Sequence, residues 1–214
     1  MTDKGRAGKV RLERRLLTAR RGAELLDRKQ QIMADELDRL ELHADGIRHD
    51  WEDRAREAAV WLGRTAGLDG RAQIEGASPV DPAEIEISWG GAMGVSFPED
   101  AQCRLPDAPM PGGSSALSYA ALAHRSALTA AVQHAAVQRA VLLLSTELTA
   151  TRTRQRAVEN RWIPKLEDEV AAIHRALEDQ ELEESLRVRW AADANEKPGG
   201  PTARPTAADE RRAT

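Results

Sequence analysis

Between Leu12 and Trp51 an apolar or small side chain returns every three and then four positions. The series is Leu12, Leu16, Ala19, Ala23, Leu26, Gln30, Met33, Leu37, Leu40, Ala44, Ile47 and Trp51, with Gln30 its one polar member and no proline inside the run. Such spacing draws one narrow stripe along a helix, the seam of a left-handed coiled coil. At 1.5 Å per residue the stripe is about 60 Å long. One small core does not reach that far, so the pattern predicts a rod in which a second helix of similar length covers the stripe. Past Trp51 the seam continues as Ala55, Ala58 and Leu62 after one extra four-residue step, which relaxes the supercoil locally, and Thr65-Ala66-Gly67 ends it. Gln30 is either a register-setting polar residue or a position whose partner side chain is also polar.

The pattern changes abruptly after residue 66. Residues 67–115 hold most of the chain's glycines and prolines. Within them Ile85-Glu86-Ile87-Ser88-Trp89 alternates apolar and polar, Gly90-Gly91 reads as a turn, and Met93-Gly94-Val95-Ser96-Phe97 alternates again. This predicts a short β-hairpin at about 84–97. A second helical segment spans 116–192, opening on an alanine-rich stretch where another backbone can approach closely. Its later stripe is Ile163, Leu166, Val170, Ile173 and Leu177. Residues 193–214 are polar and rich in glycine and proline, and are expected to form a disordered tail. The expected fold class is therefore mainly α. A long antiparallel two-helix coiled coil is formed by the N-terminal helix (1–66) and the C-terminal helix (116–192). A small head (67–115) carries the hairpin, and a small head forces the helices to be antiparallel.

Composition agrees with a thin rod. Charged residues make up 31% of the chain and aromatic residues 3%, too few large rings for a thick core. The net charge of −4 is modest, so nothing global argues for nucleic acid or an acidic membrane surface as partner. The single cysteine, Cys103, rules out an internal disulfide and fits a reducing compartment. No apolar run is read as long enough to span a bilayer, and the N-terminus lacks the apolar core of a signal peptide. A cytoplasmic protein is expected.

Candidate chemistry is sparse. His43 and His49 are six apart and His124 and His134 ten apart, so neither pair has metal-ligand spacing on a helix. Gly90-Gly91-Ala92-Met93-Gly94 lacks the lysine of a phosphate loop, and Cys103 has no histidine near it in sequence. No catalytic residue, metal or cofactor is expected. Two features stand out. Arg152, Arg154, Arg156 and Arg161 gather at one level of the second helix, either as a solvated basic face or as contacts to an acidic partner. Pro164, after Ile163, sits inside a helical pattern, where proline loses a hydrogen bond and clashes with the preceding turn; it marks either a break between two helices or a tolerated helix kink. The N-terminal basic run lacks the stacking aromatics of a nucleic-acid binder. Taken alone, these residues leave open a free-standing helical hairpin that serves as adaptor or scaffold.

Thr151-Arg152-Thr153-Arg154-Gln155-Arg156-Ala157-Val158-Glu159, then Ile163-Pro164, then Leu177-Glu178-Asp179-Gln180-Glu181 closely resembles the D subunit of V-type and A-type rotary ATPases. That family's pattern is Thr-Arg-Arg-Arg-Val-Asn-Ala-Leu-Glu, a short gap, Ile-Pro, and later Leu-Glu-Glu. Thr153, Gln155 and Arg156 stand where arginine, valine and asparagine are usual. Leu12-Glu13-Arg14-Arg15-Leu16, Ala19, Gly22, Leu25-Leu26 and Lys29 resemble the family's first helix. The resemblance implies a non-catalytic central rotor shaft that transmits torque between a nucleotide-binding hexamer and a membrane ion-translocating ring. It implies as partners the catalytic and non-catalytic hexamer subunits, a small companion rotor subunit of the F type, and a membrane-ring adaptor subunit. It also implies a location peripheral to the membrane without insertion into it, and hexamer contacts at Arg152, Arg154, Arg156 and Arg161.

Overall fold

A computed structural model describes residues 5–79, 81–107 and 111–196. The expected disordered tail lies, from residue 197 on, outside the described residues. The chain is mainly helical. Helix α1 is Arg6–Leu68, α2 is Gly70–Gly76, strand β1 is Glu84–Ala92, β2 is Val95–Arg104, α3 is Ser115–Ala157, a π-helical turn is Val158–Trp162, and α4 is Ile163–Glu196. A long N-terminal helix and a long C-terminal helical stretch thus flank a two-stranded antiparallel hairpin. The described residues fall into two compact units, one drawn from 1–18 and 163–214, the other Ala19–Trp162.

In the larger unit α1 and α3 run antiparallel. Lys29 meets Glu147, Arg54 meets Ser126 and Trp61 stacks on Tyr119, so partner numbers fall as α1 numbers rise. Met33, Leu40, Ala140, Leu144 and Leu148 form one apolar cluster with Phe97 of β2, and Leu37 packs at its margin. Further along, Ala58 packs with Ala123 and Ala127, with Trp61 at the edge. Ala116, Ala120, Ala123, Ala127 and Ala130 are all buried. Their small side chains let the backbones approach, which keeps contact where large residues would force the helices apart. In the smaller unit Leu12, Leu166 and Ile173 are buried, and an Arg6 Nη2 donates to Glu181 Oε1 at 2.9 Å.

Several sequence expectations are corrected here. Helix α1 runs through Gly67 to Leu68, and the left-handed residue that follows its end is Gly70, at φ +77°. Beyond Ala58 the buried positions are Trp61 (half-buried) and Thr65 (fully buried), whereas Leu62 is exposed. The Thr65 hydroxyl donates to the Trp61 carbonyl, which lets a small polar residue hold a seam position unseen by an apolar count. The head is partly helical, since α2 lies within it. Asp69 accepts from both the amide and the hydroxyl of Ser114, and the Ser114 Oγ in turn accepts from the Leu117 amide, capping α3. Gln73 donates to the Gly112 carbonyl at 2.6 Å, closing the loop between α2 and α3.

The hairpin is longer than the 84–97 expected, and it turns elsewhere. Its two-residue loop is Met93-Gly94, at φ +50° and +85°, the left-handed pair that suits the twist of adjoining strands. Gly90 and Gly91 lie in β1 instead. Glu99 is an extra residue of β2 between the Ser88–Asp100 and Trp89–Pro98 pairs. A Cβ at Gly90 would fall 2.7 Å from the Glu99 side chain, and one at Gly91 2.9 Å from the Val95 carbonyl oxygen, so both glycines make room rather than a turn.

A further correction concerns hydropathy. The helical stretch Ser115–Asp193 contains an 18-residue window apolar enough to cross a membrane by length and composition, 33% of it buried. Alanine raises the mean there while contributing little area, and α1 takes up its buried stripe.

Met33 and Leu144 are fully buried, whereas Leu142 is 54% exposed. Leu144→Ala is expected to lower the unfolding free energy by about 2–5 kcal/mol and Leu142→Ala by less than about 0.5 kcal/mol. Urea denaturation of both variants checks this, and equal losses would contradict the assigned seam.

Candidate functional site

The α1 seam positions Leu12, Ala23, Met33, Leu40 and Ala44 are buried, and Leu16, Ala19, Leu26, Leu37, Ile47 and Trp51 are half-buried. On α4, Leu166 and Ile173 are buried, with Ile163, Val170 and Leu177 half-buried. Between Leu148 and Ile163 the second-helix side of the seam turns polar, and this is where the arginines of the recognisable motif stand.

Glu147 is the centre of that layer. Its Oε1 lies 3.5 Å from Lys29 Nζ on α1 and 3.3 Å from an Arg154 Nη1 on its own helix. The side chains of Lys29 and Glu147 are 26% and 31% exposed, so water screens the pair only in part. The next residue of α1, Gln30, donates to the amide oxygen of Gln155, which lies about two turns beyond Glu147. Gln155 Nε2 is shared between Glu159 Oε1 at 2.9 Å and Asp27 Oδ1 at 3.5 Å. Thr151, fully buried, is the small step between Leu148 and Gln155, and among the described residues its hydroxyl has no hydrogen-bond partner. Gln30 therefore faces a polar partner and donates one hydrogen bond across the interface to Gln155. Gln155 and Thr151 were not identifiable as seam residues from apolar periodicity; a polar residue at Gln30 was the signal that its partner across the seam would be polar too.

The four candidate arginines differ in their surroundings. Arg152, Arg154, Arg156 and Arg161 are all exposed, but Arg154 is held by Glu147. Residues two apart on a helix point to nearly opposite sides and residues four apart share a face, so Arg152 and Arg156 lie together on one side of α3 and Arg154 on the other. Arg161 belongs to the π-helical turn Val158–Trp162, which sets it on a different rotation from the α3 arginines. That turn also explains how Pro164 is carried. Pro164 has no amide hydrogen and its ring presses on the carbonyl four residues back, and the wide turn immediately before α4 lets the backbone stay helical past it.

The remaining surface features are shallow. One open groove is lined by Arg39, Leu42, His43, Gly46, Ile47 and Asp50. The Glu36 carboxyl beside it lies below the usual carboxylate range, because Arg39 donates to it and adds its charge. A second groove runs along Trp61, Arg64, Leu68 and Tyr119, where the Trp61 and Tyr119 rings stack at 4.8 Å and the Arg64 guanidinium lies 4.5 Å above Trp61. His134 stacks on Trp51 at 5.0 Å. Among the described residues, no three His, Cys, Asp or Glu side chains converge to hold a metal ion.

The sequence matches the family of ATP synthase D subunits over residues 9–193. It is 27% identical over 196 residues to the A-type ATP synthase D subunit of Methanopyrus kandleri, covering 88% of this chain and 84% of that protein. It is 28% identical over 196 residues to the V-type ATP synthase D subunit of an Anaeromyxobacter species, covering 88% and 91%. It is 29% identical over 191 residues to the V-type ATP synthase D subunit of Thermotoga neapolitana, covering 86% and 93%. The match takes in α1, the hairpin, α3 and nearly all of α4, so the chain belongs to the ATP synthase D-subunit family.

Proposed function

We propose that this chain is the central rotor shaft of a V/A-type rotary ATPase or ATP synthase. It performs no catalysis of its own and transmits torque between a nucleotide-binding hexamer and a membrane ion-translocating ring. The observation that carries this reading is the interlocked antiparallel pair of α1 and α3, in a chain of this family. Two helices locked by alternating side chains resist twisting far better than one, because torsion of either must unseat knobs from holes along the whole contact. The polar layer at Gln30 and Gln155 supports the same role. Sliding the helices by one turn would break the Gln30–Gln155 hydrogen bond and the Lys29–Glu147 pair that cross between them.

A shaft must also turn inside its ring, so its outer surface has to make and break contacts cheaply. The exposed arginines Arg152, Arg154, Arg156 and Arg161 suit this, each rim contact being worth about 0–1 kcal/mol. With Arg152 and Arg156 on one side of the helix and Arg154 on the other, they meet successive ring subunits as the shaft turns. The partners in this reading are the catalytic and non-catalytic subunits of the hexamer, a small companion rotor subunit on the side of the helix pair near the head, and a membrane-ring adaptor subunit. The location is cytoplasmic and peripheral to the membrane.

The test is coupled ATP hydrolysis by the reconstituted complex. Single Arg→Ala changes at 152, 154 and 156 are expected to be nearly silent. The triple change is expected to loosen seating in the hexamer and lower coupled turnover, and raised salt should mimic it in wild type because it screens the same contacts. The isolated triple variant should melt within about 0.5 kcal/mol of wild type, so that seating and folding are separated. Equal turnover and equal retention of wild type and triple variant across the salt series would remove the arginines from the mechanism.

A further inference from the structure

The second helix carries a run of weakened turns that the shaft role does not by itself require. It begins where hydroxyls turn back on their own helix. Ser145 and Thr146 donate to the Leu142 carbonyl at 3.1 and 2.7 Å, Thr149 to the Ser145 carbonyl at 2.9 Å, and Thr153 to the Thr149 carbonyl at 3.0 Å. Each such bond draws on a carbonyl that the helix ladder also uses, and loosens its turn slightly. The π-helical turn Val158–Trp162 follows, in which the ladder spans five residues instead of four. Pro164 then offers no amide hydrogen to the carbonyl four residues back, that of Asn160.

Packing does not make up for this. None of the side chains of the turn is buried, and Trp162 is 48% exposed. On either side the helix is held by its core contacts: Leu148 and Thr151 are buried before the turn, and Leu166 and Ile173 after it. The larger compact unit ends at Trp162, the last residue of the turn, and the smaller one resumes at Ile163.

We propose that the turn Val158–Trp162, with Pro164 behind it, is the compliant element of the second helix, where backbone bonds open first and where twist collects under load. Segments of a rod in series carry the same torque, so each twists in inverse proportion to its stiffness. Local opening is easiest where the fewest buried contacts are lost with it. Opening this turn unseats no buried side chain, whereas opening the turns on either side unseats Leu148 and Thr151 or Leu166. In a shaft pushed in steps by a ring of repeated subunits, such an element lets one end lead the other before the next push. In this respect the inference rests on the shaft reading.

The experiment compares wild type with Pro164→Ala, which returns the missing amide hydrogen and leaves the seam and the arginines as they are. In the isolated full chain, hydrogen exchange read by mass spectrometry is expected to be at least about tenfold faster at amides 158–163 than at 146–152 and 166–173. Pro164→Ala should slow the fast set several-fold. In the reconstituted complex, a bead fixed to the head of this chain reports the angular fluctuation of the shaft while a non-hydrolysable nucleotide analogue halts the hexamer. Pro164→Ala should narrow that fluctuation, and Lys165→Ala, at the exposed neighbouring position, should change neither readout. Uniform exchange from 146 to 173, or either readout indifferent to Pro164→Ala, would overturn the proposal while leaving the shaft reading in place. A bead whose angle is not held by the halted hexamer at all would overturn both.

Discussion

Two long helices lie against each other only if large side chains on one meet small ones or gaps on the other, turn after turn. In the larger unit this constraint is met in two ways. Near the hairpin, Met33 and Leu40 interlock with Leu144 and Leu148, and Phe97 closes the third side. Towards α2, alanines at Ala58, Ala123 and Ala127 leave only backbone and methyl groups between the helix axes. Everything else hangs on this contact. The hairpin is anchored because β2 contributes Phe97 to the same cluster, and the head closes because α1 and α3 arrive near enough for Asp69 to accept from Ser114.

Apolar packing alone would leave the register weakly specified, since an alanine stripe shifted by one turn still meets alanines. The polar groups remove that degeneracy. The Gln30–Gln155 hydrogen bond and the Lys29–Glu147 pair form across the helices in this register, and a shift by one turn forfeits both. The π-helical turn follows at once, where Pro164 needs room behind it. Register, the exposed arginines and the turn before Pro164 thus share a short stretch of the second helix.

The helical architecture was legible because it rests on periodicity, and periodicity survives in sequence. Leu12 through Ala58 could be read as one stripe, and the alternation from Ile85 to Trp89 as a strand. What could not be read depended on the third dimension. Thr65, Thr151 and Gln155 occupy seam positions although they are polar, because their hydroxyls or amides meet local carbonyls or a cross-helix amide, or fit by size alone. Gly90 and Gly91 suggest a turn to any sequence reading; only the bulge at Glu99 reveals that they make space for a neighbour. The stop at Gly67 was misplaced for a related reason. Glycine inside a long helix is tolerated when packing supplies the stability, and termination fell to Gly70, which takes the left-handed conformation. Of the candidate arginines, sequence located all four but not the tie between Arg154 and Glu147, which needs residues seven apart to be placed side by side.

The central claim is that this chain turns, and that the paired helices carry the turning force. The direct measurement is single-molecule observation of a bead fixed to the head of this chain, in an ATPase complex whose hexamer is anchored to a surface. The account predicts stepwise rotation in one direction with added ATP, arrested when an engineered disulfide ties the shaft to one member of the hexamer and restored on reduction. A bead that stays still while the anchored complex hydrolyses ATP at its full rate would contradict it.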